Sequence, residues 1–206
     1  MQGATLLKKI IISTPTAKIY QRLGFKKATS QLTPKTKNET EAHIEAAVSL
    51  ISLRGSFLRL KTSDNDGQMI KFFSGVNFFS KKLSRFLRDC PEAVLLGATA
   101  GSEIMEAIKE KTAQGDLQAA VIYDATASEM ADAALDWIMD YINQLIRREG
   151  KTLLPRRFSA GYADFDLSNQ KTIYELLNLD KLGVRITKAH ILLPEKSVTA
   201  ISGICG

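Results

Sequence analysis

The chain has 206 residues, enough for one well-cored unit, and its composition of 45% hydrophobic and 24% charged residues is that of an ordinary water-soluble globular protein. No apolar run approaches the roughly 20 residues of a membrane span, and the apolar start, residues 1–12, is interrupted by Lys8 and Lys9, so it reads as neither leader nor anchor. The net charge of +6 is segregated: residues 1–90 carry 16 Lys/Arg against 6 Asp/Glu, and residues 91–150 carry 4 against 11. A basic end beside an acidic middle suits a solvated surface of uneven composition first, and complementary packing or an acidic partner second; the lack of an aromatic-basic stacking motif argues against a nucleic-acid module. Cys90 and Cys205 lie far apart in no paired motif, which predicts free thiols and a cytoplasmic location.

In chain order, residues 1–12 suit a short strand or a short helix equally, and Thr16 to Leu23 reads as a short helix closed by Gly24. Gln31 to Asn38 is a polar, basic link, after which Asn38 and Thr40 offer caps for a helix carrying Ile44, Ala47, Val48 and Ile51. Alternation through Phe57–Lys61 predicts a strand, Asp64–Gly67 a turn, and Met69–Phe73 the returning partner. Ser80 caps a helix that buries Leu83, Phe86 and Leu87.

Ala93–Thr99 is a buried strand followed by Gly101 and a helix from Ser102 to Ala113. That order invites a phosphate-loop reading, but no Gly-Lys-Ser/Thr follows, and Gly97-x-x-x-Gly101 is better explained by tight packing. Asp116 to Arg148 lacks both proline and glycine and keeps a helical period through Leu135, Ile138, Ile142 and Leu145, which predicts one long helix, with an interruption near Thr126-Ala127-Ser128 as the alternative. On it Asp132, Asp136 and Asp140 share a face at four-residue spacing, either as a solvated row or as part of a ligand site.

Arg157-Phe158-Ser159-Ala160-Gly161-Tyr162 sets small residues and a glycine between an arginine and a tyrosine, so it reads as a ligand-facing loop. A helix capped by Ser168 follows, carrying Ile173, Leu176 and Leu177. Short β runs at Val184–Thr187 and Ile191–Leu193 come next, and the segment Pro194-Glu195-Lys196-Ser197-Val198-Thr199 opens a last strand ending near Ile204. His43 and His190 have no companion at zinc-ligand spacing, and neither a Gly-x-Ser-x-Gly elbow nor a Gly-x-Gly-x-x-Gly turn is present.

The combination of Asp124-Ala125, Ser128-Glu129, Arg-x-x-x-Gly-Tyr at 157–162 and Pro-x-x-Ser-Val at 194–198 resembles the activation domain of cobalamin-dependent methionine synthase, particularly its free-standing relatives. The resemblance is loose before residue 80, the basic segment 1–37 included, and good from Leu95 onward. It implies a single α+β domain over residues 1–206, with a twisted, mostly antiparallel sheet and surrounding helices including one long helix. It also implies an S-adenosylmethionine site at Arg157, Phe158, Ser159, Ala160, Gly161, Tyr162 and Asp132, with no catalytic residue and no protein-bound metal. A guanidinium offers a planar fork to a carboxylate, so Arg157 suits the amino-acid end of the ligand, and the backbone of Phe158–Ala160 is free to reach it. In the family an acidic residue on the long helix binds the ligand, and Asp132 is the match here. The cobalamin would sit on a partner, methionine synthase or another corrinoid protein, and a flavodoxin-like protein would supply an electron. Ala163-Asp164-Phe165-Asp166 stands where the fused domain has Pro-Ala-Cys-Pro. The fused domain's C-terminal aromatic pair has no counterpart here, which motivates the alternative expectation of a docking or capping module without its own methyl donor.

Overall fold

A computed structural model describes residues 3–25 and 33–206. In chain order it places strand β1 at Thr5–Leu7, helix α1 at Thr16–Arg22, α2 at Pro34–Ser49, β2 at Arg54–Asn65, β3 at Met69–Phe72 and β4 at Asn77–Phe79. Then come α3 at Lys81–Phe86, β5 at Glu92–Thr99, α4 at Glu103–Ala113 and α5 at Leu117–Ile146. The chain closes with β6 at Thr152–Leu153, α6 at Asn169–Leu176, a 3-10 turn at Leu179–Leu182, β7 at Arg185–Ile186, β8 at Leu192–Leu193 and β9 at Ser197–Cys205.

Every strand pairing is antiparallel, with the order β4-β3-β2-β5-β9-β6 and β1 alongside β2, while β7 and β8 form a separate ribbon. The architecture is therefore the expected α+β arrangement. β5 lies at its centre because all eight of its residues are buried, as its apolar run requires. Period-2 alternation sends Val94, Leu96 and Ala98 to one core with α5, and Ala93 and Leu95 to a second core with α3, α6 and the 3-10 turn. Gly97 is a packing glycine: a Cβ there would lie 2.8 Å from Leu179 and 3.1 Å from Leu177.

The long helix is unbroken. α5 runs 30 residues, capped by the Asp116 carboxylate, which accepts from the Ala119 N–H at 3.2 Å, and its buried residues include Ala127, Ala134, Leu135, Ile138 and Ile142. At its far end Arg59, Glu92, Glu149 and Lys151 tie helix to sheet, with Arg59 2.8 Å from Glu92 and 2.6 Å from Glu149, and Lys151 2.5 Å from Glu92.

Two expectations are corrected, and two short strands were not foreseen. The helix expected to start at Asn38 or Thr40 begins at Pro34, because Thr33 supplies the cap, accepting from the Thr36 N–H at 3.2 Å, and proline suits the first turn. That leaves only residues 31–32 of the expected link, and these lie outside the described residues. Strands β4 and β6, three and two residues long, were too short for periodicity to show. The cysteines, expected to be free, are joined as a Cys90–Cys205 disulfide across a separation of 115 residues, with Cα atoms 4.6 Å apart. Antiparallel pairing of β5 with β9 brings the start of one beside the end of the other, which spacing in sequence cannot reveal.

Candidate functional site

The predicted loop 157–162 lies along the outer edge of β9. Phe158 exchanges two backbone hydrogen bonds with Ile201, at 2.8 and 2.7 Å, and the Ser159 hydroxyl donates to the Thr199 carbonyl at 2.9 Å. Below the loop, Phe165 is fully buried against Phe78 and Phe158, with ring centroids 5.3 and 6.2 Å away. Asp164 pins the other end: it accepts from the Ser80 hydroxyl at 2.6 Å and the Lys81 N–H at 2.8 Å at the start of α3. Those bonds, the Ser80 hydroxyl first, hold its carboxyl below the ordinary carboxylate value. Gly161 turns the loop at φ +83°, where a side chain would be strained.

This anchoring fixes Arg157 opposite α5. Its guanidinium bonds Asp136, and its second nitrogen lies 3.3 Å from Asp132 Oδ1. Two residues singled out from sequence, Arg157 and Asp132, are thus brought together, with Asp136 as an additional partner. Burial pushes the Asp136 carboxyl up, but hydrogen bonds from Arg157 and Lys18 outweigh it and hold it low. Asp140, on the same face, is exposed. Among the described residues it has no ion-pair partner.

The other predicted residues divide. Phe158 was expected to offer backbone groups, but its N–H and C=O are both committed to Ile201, because the loop borrows the open edge of β9. Among the described residues Ala160 makes no backbone hydrogen bond, and its groups are unspent. Tyr162 is 68% exposed, touching Phe158 edge-on at 5.7 Å, so it is not a core anchor. Sequence reasoning missed Lys196, whose ammonium lies 2.7 Å from Asp124 and 2.9 Å from the Ser128 hydroxyl. Each of the three lies inside one of the quoted motifs, so the signal was present but their contact was not. Lys18 and Arg22 of α1 were also missed. They line a cavity of about 360 Å³ with Gln21 and Glu129 beside the same face of α5.

A guanidinium facing a carboxylate across a loop edge is the complement of an α-amino-acid zwitterion: the arginine can take the ligand's carboxylate as the aspartate takes its ammonium. That exchange gives up the Arg157 contacts to Asp132 and Asp136 for two ion pairs with the ligand, while Asp136 keeps Lys18 at 3.1 Å.

No protein-family model matches the chain, and no curated protein sequence does. Among solved structures, the MetH reactivation domain bound to AdoHcy superposes with a TM-score of 0.70 at 14% sequence identity, covering 98% of this chain and 78% of that one. At that identity the likeness is one of fold.

Proposed function

We propose that this chain binds S-adenosylmethionine at the Arg157–Asp132 pair and serves as the reactivation component of a corrinoid enzyme, cobalamin-dependent methionine synthase or another corrinoid protein. The observation that carries the reading is the 3.3 Å approach of Arg157 to Asp132 on the loop with the Arg-x-x-x-Gly-Tyr motif. The shared fold with a domain seen bound to AdoHcy supports it. Arg157 turns from Asp132 and Asp136 to the ligand carboxylate, Asp132 takes the ammonium and attracts the sulfonium, and the free backbone of Ala160 lines the ligand. Ser159 and Gly161 shape that edge, Phe158 holds it on β9, and exposed Tyr162 faces the incoming partner.

A corrinoid on the partner, once reduced by one electron from a flavodoxin-like donor, would supply the nucleophile and take up the methyl group, while the ligand sulfur would keep the electron pair of the broken bond and become a neutral thioether. This chain's contribution is position and water exclusion. It works on protein partners, not on nucleic acid or membrane, and such partners place it in the cytoplasm. A disulfide such as Cys90–Cys205 is rare in reducing compartments, so alkylation in intact cells tests that placement.

One observation favours a second reading, a docking module without its own donor. Arg157 is already engaged by two aspartates, and a ligand must displace them. Calorimetric titration with S-adenosylmethionine separates the two: saturable binding supports the donor site, and no heat at millimolar ligand, with or without a corrinoid protein, supports the docking module.

A further inference from the structure

The zwitterion exchange leaves two cations of the site without a role. Helix α1 lays Lys18 3.1 Å from Asp136 Oδ2, and sets Arg22 2.5 Å from Glu129 and 4.0 Å from Asp132 Oδ2. Both aspartates therefore divide their oxygens, Oδ1 toward Arg157 and Oδ2 toward α1. Charge alone does not put α1 there. Ile19 is fully buried with Ile44, Ile122 and Ala125, so apolar packing fixes the helix and delivers the cations with it. Lys18, Arg22 and Arg157 then match Glu129, Asp132 and Asp136 one for one.

We propose that Lys18 and Arg22 are specificity-determining residues: they neutralise the carboxylate row and so set how strongly the site prefers a sulfonium to the uncharged thioether of the same shape. This rests on the adenosyl-ligand reading of the site. A sulfonium drawn to Asp132 meets an oxygen already facing Arg22, with Lys18 one helical turn along, and both repel it. The thioether carries no charge on sulfur, and its carboxylate and ammonium cancel to first order, so it is nearly indifferent to α1. Coulomb's law at a separation of about 6 Å, with a dielectric constant of about 40 to 80 for a water-exposed site, makes each cation worth roughly three- to tenfold in sulfonium affinity. The loosest contact in the row, Arg22 to Asp132, is where the ligand's charge has the least to displace.

The test is titration of the full chain with S-adenosylmethionine and, separately, with S-adenosylhomocysteine. Wild type, Lys18→Met, Lys18→Arg, Arg22→Gln and the exposed α4 control Lys109→Met are compared. The expected result is that Lys18→Met and Arg22→Gln each raise the sulfonium-over-thioether affinity ratio by roughly three- to tenfold. Lys18→Arg and Lys109→Met should keep the wild-type ratio. Arg22→Gln leaves the nearly buried Glu129 without its cation, so if that variant unfolds, Lys18→Met decides. Both ligands weakening together, or a ratio that does not move, overturns the role of α1 while leaving the ligand site standing. If neither ligand binds wild type, the site reading itself fails, and this inference with it.

Discussion

Removing the Phe165 ring should loosen the loop that carries Arg157 more than it disturbs the rest of the fold. Phe165 is fully buried in the core beneath the sheet and packs against Phe78 and Phe158, the latter paired to β9 through Ile201. Truncating a buried phenylalanine to alanine costs about 3–5 kcal/mol, combining lost transfer energy with the cavity left behind. An unfolding entropy of about 2.1 cal/mol/K per residue over this length gives roughly 0.43 kcal/mol/K, so Phe165→Ala should lower the melting temperature by about 7–12 °C. Phe165→Leu, which keeps most of the volume, should lose less than half of that. Melts followed by circular dichroism measure both, and hydrogen exchange on the alanine variant should show faster exchange at the Phe158 amide than in β5. A drop under 2 °C, or unchanged protection at Phe158, would refute the claim that this ring ties the loop to the core.

Two further outcomes follow from polar and covalent links. Glu149 is held down to about 2 by hydrogen bonds from Arg59 and then Lys151, against an ordinary value of 4.5. Its folded-state pKa is depressed, so the unfolded chain takes up the proton first as pH falls. Its stabilisation is present above about pH 4.5 and is lost toward pH 2, and Glu149→Gln should flatten that part of the acid unfolding curve. Glu92 acts in the same direction: burial pushes its carboxyl up, yet Lys151 and Arg59 hold it below the usual range. The Cys90–Cys205 link closes 115 residues, a loop for which chain entropy gives about 4–5 kcal/mol. Unreduced protein should therefore resist alkylation when denatured, and reductant should lower its melting temperature by up to about 10 °C. Ready alkylation without reductant would contradict the link.

Much of this architecture is legible in residue order because its strongest elements obey one period each. β5 is a continuous apolar run bounded by Pro91 and Gly101, and α5 keeps its apolar face for 30 residues with no breaker. What was hidden depends on contacts between distant segments. Antiparallel β5–β9 pairing brings Cys90 to Cys205, and docking of the Pro194–Thr199 segment against α5 brings Lys196 to Asp124. At the site, Arg157 and Asp132 were identifiable by residue type and motif. The commitment of the Phe158 backbone was not, because it depends on an open edge of β9 that only the sheet order reveals. Lys18 and Arg22 were read only as part of a basic N-terminal region, although their positions on α1 point them at specific carboxylates.

The central claim is that Arg157 and Asp132 form a site for the amino-acid end of S-adenosylmethionine, and calorimetric titration of wild type, Arg157→Ala, Arg157→Lys and Asp132→Asn measures it directly. Loss of a charge-assisted, two-pronged contact worth about 1.5–3 kcal/mol predicts affinity roughly ten- to a hundredfold weaker in Arg157→Ala. Arg157→Lys should recover part of the loss, Asp132→Asn should weaken binding, and Asp140→Asn should bind as wild type does. Wild-type binding that survives Arg157→Ala unchanged would contradict the site, and no wild-type binding at millimolar ligand would contradict the donor function itself.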